Sequence, residues 1–318
     1  MSRKVKKRKP AVSRRKKKVK KKSLLSLRIF SFLILLGLLI FSMAAAAYVI
    51  FFRTTIAHGA VTEENRSVAA ARAFEEPYTT IPELPPDIAP VRDDKLPMVA
   101  IIIDDMGYHR EVGRELLQLP MNLTFSFLAA APFTAELEEM AFQAGRVILL
   151  HQPMEPKGSE WDPGPGALLM GQSRVEQEKL FLENLQKVPH AVGVNNHMGS
   201  LYTEDREKME ELMELLHGQG LFFIDSFTTS LSQGLAAAKT VGIPTARRHI
   251  FLDNVHSQDK VCKQLHKLVQ SARENGWAIG IGHPNDATLA ALTHCRGQLL
   301  QKVRLVSAQE LLITLAGK

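Results

Sequence analysis

Five short segments place carboxylates, imidazoles and amides directly after runs of apolar residues. Asp104 and Asp105 follow VAIII, His151 follows RVILL, Asn195, Asn196 and His197 follow AVGV, Asp225 follows LFFI, and His283 follows WAIGIG. One Asp and two His, Asp with His151 and His197, leave coordination positions open and suit Zn²⁺ or a similar divalent ion. Such an ion polarises a carbonyl and lowers the pKa of bound water, which hydrolysis of an amide or ester requires. A His on the far side, His283, would protonate a leaving amine. Of the two adjacent aspartates, one can bind metal while the other handles a proton. Neighbouring strand residues point to opposite faces, so both reach one site only if the chain turns there. Two carboxylates after five apolar residues serve no packing purpose and are costly unless paired. Taken singly, each residue also has a structural reading: His151 as a strand-end hydrogen bonder, Asp225 as a helix cap, His283 as part of a turn stiffened by Pro284. His109, His190, His217, His249, His256, His266 and His294 fall in predicted helices or loops and are read as surface or structural residues.

These side chains need a scaffold that brings strand ends together. The apolar runs are continuous rather than alternating, which indicates strands buried on both faces, hence a parallel sheet. Further runs are NLTFSFL from Asn122, VRLV from Val303 and, more weakly, VGIPTA from Val241. Amphipathic stretches fill the gaps. Thr203 is placed to cap a helix over Glu204 to His217, with Met209, Leu212, Met213 and Leu216 on one core-facing stripe. Similar stretches run from Thr134 to Ala144, Gln258 to Glu274 and Ser307 to Ala316, the first two ended by Gly145 and Gly276. Strand and helix alternating seven or eight times predict an α/β barrel or a doubly wound sheet. In α/β barrels the active site is built at the C-terminal strand ends, so the scattered polar residues should converge.

Charge is distributed as unevenly as chemistry. The 318 residues carry +7, but fifteen of the 40 Lys and Arg precede Ile29 and the first acid is Glu63. Beyond the span that follows, 25 basic face 33 acidic side chains, a net of −8. Ile29 to Phe52 is 24 residues without a charge, longer at about 1.5 Å per residue than the roughly 30 Å bilayer core. Residues 1–28 are therefore a basic cytoplasmic arm, 29–52 a transmembrane signal anchor, 53–97 a Pro-, Glu- and Ala-rich tether, and 98–318 the folded domain. The arm has no interleaved aromatics to stack bases, and its place against the span makes it a topology signal rather than a nucleic-acid site. A cleaved signal peptide is the competing reading, disfavoured because the apolar stretch exceeds a signal core of about 7 to 15 residues. Composition, at 45% apolar and 23% charged, excludes collagen-like, disulfide-scaffold and wholly disordered chains. Cys262 and Cys295 leave their pairing open.

AIIIDDMG, LLHQPME, GVNNHMGS, FFIDS and GIGHP, in this order over residues 98 to 316, resemble the divergent polysaccharide deacetylase family, a branch of the NodB-like carbohydrate esterases. The resemblance implies a distorted (β/α)7-type barrel of the polysaccharide deacetylase kind, here preceded by a transmembrane helix. It also implies a divalent metal, Zn²⁺ in the first instance, and removal of N-acetyl groups from an amino sugar of an extracellular polysaccharide. By the same resemblance Asp104 is the base and Asp105 a metal ligand, and His151 is the first histidine of a His-x-x-x-His pair. Glu155 stands where the second histidine belongs, and His197 supplies the missing imidazole, in a segment where relatives carry an Arg-Pro-Pro-Tyr-like sequence. Asp225 falls at the fourth motif, orienting the leaving amine or a neighbouring group, and His283 at the fifth as the acid. Asn195, Asn196 and the stretch from Arg248 to Asp253 belong to the pattern without an assigned role.

The sequence thus predicts a single-pass inner-membrane protein with a metal-dependent deacetylase domain in the periplasm, acting on an N-acetylated cell-envelope glycan and not on nucleic acid. The altered second motif keeps open a non-catalytic glycan-binding or scaffold protein with the same barrel and metal. A glycoside hydrolase is weaker, having no use for the histidines. A Ser-His-Asp hydrolase lacks the G-x-S-x-G elbow.

Overall fold

A computed structural model describes residues 96–317. The basic arm, the 29–52 span and nearly all of the tether lie outside the described residues. Among the described residues no helix is long and apolar enough to cross a membrane.

The described chain is a parallel-stranded, curled α/β fold. Nine strands, β1 (Met98–Met106), β2 (Thr124–Phe127), β3 (Val147–Met154), β4 (Gly193–Met198), β5 (Phe222–Asp225), β6 (Thr245–Arg247), β7 (Ile250–Phe251), β8 (Trp277–Gly282) and β9 (Arg304–Val306), form one sheet. Its hydrogen-bonded order is β6-β5-β4-β3-β2-β1-β8-β7, with β9 beside the start of β1. Every ladder is parallel, as the continuous apolar runs require. The ends of this path, β6 and β7, are successive pieces of one stretch. Arg248 N donates to Asp225 O on β5, and His249 N donates to Ile279 O on β8, so the chain changes neighbour between two residues.

The helices are α1 (Arg110–Gln118), α2 (Thr134–Gln143), α3 (Arg174–Gln186), α4 (Arg206–Gly218), α5 (Gly234–Val241), α6 (Gln258–Asn275), α7 (Asp286–Leu300) and α8 (Ala308–Ala316). Their apolar faces and one face of the strands make the larger core cluster, which holds the Met209, Leu212, Met213, Leu216 stripe. A smaller cluster fills the other side with Met98, Ala100, Ile102, Phe222, Ile224, Ile279 and Ile281, joined by Leu311 and Leu312 of α8. One predicted cap moves. Thr203 is buried in a 3-10 turn and donates to Gly199 O, so Asp205 caps α4 by accepting from Lys208 N. Cys262 of α6 and Cys295 of α7 form a disulfide, which answers the open pairing.

Candidate metal and acid-base site

The period-2 alternation of the strands decides which polar residues meet. In β1, Val99, Ile101 and Ile103 join the helix-facing cluster, and Met98, Ala100 and Ile102 the inner one. Asp104 continues the inner set. Asp105 by alternation would face the helices, but its backbone has φ +51° and the β1–β2 register slips between Ile103 and Met106. This left-handed residue turns the strand end so that both carboxylates reach one site. The same alternation carries Leu149 to His151 on β3, and Ile279 and Ile281 to His283 after β8. On β4 it puts Asn195 and His197 on one face, paired in register with His151 and Pro153.

Three donor atoms converge. His197 Nδ1 lies 3.0 Å from Asp105 Oδ1, His151 Nε2 lies 3.2 Å from the same oxygen, and the two ring nitrogens are 3.2 Å apart. Asp105 Oδ1 is buried and makes no hydrogen bond of acceptable geometry despite those short separations. His151 Nδ1 is 2.9 Å from Asn195 Oδ1, an atom that can only accept, so Nδ1 is a donor and Nε2 is the ring atom turned toward Asp105. A divalent ion at about 2.0–2.1 Å from each donor would separate the donors by about 2.9–3.4 Å. The set of Asp105, His151 and His197 fits such an ion in donor type and spacing.

Asp104 and His283 flank this set. Asp104 Oδ2 is 3.7 Å from His151 Nε2, and Asp104 Oδ1 accepts from Asn195 Nδ2 at 2.8 Å. Burial raises the Asp104 pKa above the usual aspartate value, against the pull of His151, His283 and the Asn195 bond. Burial pushes Asp105 the same way, but the imidazoles of His197, His151 and His283 outweigh it and hold this carboxyl well below the usual range. His283 Nε2 is 3.9 Å from Asp105 Oδ2. Burial would lower the His283 pKa, but Asp253, with Asp105 and Asp104 adding to it, pushes it up to about 10.

Other expected residues lie elsewhere. Asp225 follows Phe223, not Phe222 and Ile224, in the alternation and so faces the helices. Its carboxylate accepts from Ser232 Oγ and Phe227 N and packs against Gly234, where a Cβ would come within 2.8 Å of Oδ2. Glu155 accepts from Met170 N and fastens the loop after β3, and it is not in the donor set. Asn196 ties β4 to β5 by accepting from Ser226 N. Arg248 is buried and donates to Ser226 O and Phe227 O. Asp253 partners His283, with Asn285 and Thr288 donating to its second oxygen. Ser126 and Ser226, each bonded to Asn195, were not foreseen. The signal for Ser126 is the alternation in TFSF, where Phe125 and Phe127 face the helices.

A family model described as divergent polysaccharide deacetylase matches residues 101–312. The chain is 34% identical over 224 residues to the Escherichia coli strain K12 protein described as uncharacterized protein YibQ, covering 70% of this chain and 69% of that one. It is 35% identical over 209 residues to an uncharacterized protein of Haemophilus influenzae, covering 65% and 74%. Among solved structures, uncharacterized protein ATU2773 of Agrobacterium tumefaciens C58 superposes with a TM-score of 0.65 at 23% identity, over 76% of this chain and 94% of that chain, a likeness of fold.

Proposed function

We propose that this chain, which belongs to the divergent polysaccharide deacetylase family, is a membrane-anchored, metal-dependent hydrolase that removes N-acetyl groups from a cell-envelope glycan. The observation that carries the reading is the convergence of Asp105 Oδ1, His151 Nε2 and His197 Nδ1 within 3.2 Å of one another, between Asp104 and His283. Those three atoms would hold the ion. A bound Zn²⁺ supplies Lewis-acid polarisation of the acetamide carbonyl and acidifies water.

The chain's own groups do the proton work. Asp104, buried and with a raised pKa, takes a proton from the attacking water. His283 gives a proton to the amine nitrogen as the C–N bond breaks and acetate leaves. Asp253 holds the His283 ring by Nδ1, leaving Nε2 toward the site. Asp225 takes no part in this scheme. The missing second histidine favoured a non-catalytic glycan binder, and His197 in the donor set supplies what Glu155 does not. The disulfide supports an oxidising, extracytoplasmic setting for the domain, and the 29–52 span supports the anchor.

The test uses the full chain in detergent, loaded with zinc, on chitooligosaccharide and on peptidoglycan. Acetate release that stops with a chelator and returns with zinc is the expected result. Asp105→Ala and His197→Ala should weaken zinc binding by more than the roughly 10- to 100-fold that loss of a residue supporting a ligand costs. Absence of acetate release from the zinc-loaded protein would overturn the enzyme reading, and wild-type zinc content in both variants would overturn the metal assignment.

A further inference from the structure

Asn195 is fully buried, and both edges of its amide are used. On the carbonyl edge, Oδ1 receives Ser126 Oγ and His151 Nδ1. On the amine edge, Nδ2 donates to Asp104 Oδ1 at 2.8 Å and to Ser226 Oγ at 3.1 Å. Two acceptances and two donations exhaust the amide, and a flipped amide would set its oxygen against the Asp104 carboxylate. The orientation is thereby fixed by its neighbours.

We propose that Asn195 is a positioning residue that serves two different partners with its two edges: the carbonyl edge sets the His151 tautomer for metal binding, and the amine edge aims the Asp104 carboxylate for proton transfer. The inference rests on the metal-dependent reading above. It follows from the geometry that a single amide reaches a metal-donor ring from β3 and a carboxylate from β1, while serines from β2 and from the turn after β5 brace it. A side chain that merely filled space there would leave four buried polar groups unsatisfied, so Asn is required for its two-sided chemistry.

The two edges can be separated. Asn195→Asp keeps an oxygen for His151 and replaces the donor to Asp104 by a second oxygen. It should retain zinc affinity within about threefold of the parent and lose about 100-fold or more in kcat with little change in KM. Asn195→Ala removes both edges and should weaken zinc about 10- to 100-fold and lose kcat as well. Ser126→Ala removes a brace on the carbonyl edge only, so it should weaken zinc about 10-fold and lower kcat at saturating zinc by a smaller factor. The measurements are zinc affinity by competition with a chromophoric chelator, the visible spectrum of the Co²⁺-loaded protein, and kcat and KM for acetate release from chitooligosaccharide. An Asn195→Asp protein that loses zinc as fully as Asn195→Ala, or keeps wild-type kcat, overturns the two-edge assignment. If Asn195→Asp does not fold, a Ser126→Ala protein that loses more in kcat at saturating zinc than it loses in zinc affinity overturns it equally. A wild-type protein that takes up no zinc or releases no acetate defeats the underlying reading instead, before any variant is compared.

Discussion

Asp253 holds His283 by two hydrogen bonds at once. One carboxylate oxygen accepts from the His283 backbone N at 2.7 Å, and the other lies 3.1 Å from the ring Nδ1. Asn285 and Thr288 donate to the first oxygen, at 2.8 Å and 2.7 Å, so the carboxylate is itself held in place from the start of α7. The pairing favours the imidazolium form of His283, which the proposed acid role needs.

Replacing Asp253 by Asn keeps the shape and removes the charge. The His283 pKa, pushed up to about 10 against the effect of burial, should fall, because the largest of the raising influences is gone. Activity that requires protonated His283 is present below that pKa and lost above it, so the alkaline limb of the kcat profile should move to lower pH. We expect kcat at pH 8 to drop by about 10²-fold, the typical scale of one acid-base group. An unmoved alkaline limb in Asp253→Asn would separate His283 from the proton transfer.

Asp225 makes the opposite case. Its partners are Ser232 Oγ, Phe227 N and the close-packed Gly234, all on the helix-facing side of β5. Removing the carboxylate strands buried donors, so Asp225→Ala should cost about 1–3 kcal/mol of stability, with kcat per folded molecule within about threefold of wild type. Urea unfolding alongside acetate release measures both. A variant as stable as wild type but inactive would return Asp225 to the reacting groups.

Most of this arrangement was legible because parallel strands advertise themselves as apolar runs, and their C-terminal residues as breaks in those runs. The runs before Asp104, His151, Asn195, Asp225 and His283 all became strands, and the side chains of Asp105, His151 and His197, named from the sequence as a donor set, converge. The rest turns on alternation within the runs. Phe222 and Ile224 face inward, which puts Asp225 outward, and that parity was present in LFFID. Asp105 breaks parity through a left-handed backbone angle, which no side-chain pattern announces. The role of Asp253 was hidden because β6 and β7 are too short to show a period, and a crossing between two neighbours at Arg248 and His249 leaves no compositional mark.

The Cys262–Cys295 bridge ties α6 to α7 across β8, and His283 follows that strand. Closing a loop with a sequence separation of 33 corresponds to about 3–4 kcal/mol in the chain-entropy account. The double variant Cys262→Ala, Cys295→Ala should lose that much in equilibrium denaturation, and dithiothreitol should lower the stability of the parent but not of the variant. Equal stability of parent and variant under oxidising conditions would refute the contribution.

His249 gives the fold a pH dependence separate from catalysis. At the crossing from β6 to β7 its backbone N donates to Ile279 O, and its ring Nδ1 accepts from Ile279 N at 3.1 Å, in place of a backbone carbonyl. The ring stands edge-on to Trp277 with centroids 4.6 Å apart. Burial first, then Arg247 and Arg248, lower its pKa from 6.5 to about 4. The folded state therefore resists a proton that the unfolded chain accepts. Its stabilising share is complete above pH 6.5, is lost as pH falls from 6.5 to 4, and stays lost below. A shift of that size corresponds to about 2–3 kcal/mol once the ring's partial exposure is allowed for. Stability measured by urea unfolding across that range should decline more steeply in the parent than in His249→Asn, whose carbonyl accepts a hydrogen bond without titrating. Parallel pH profiles for the two proteins would show that the imidazole does not control the crossing.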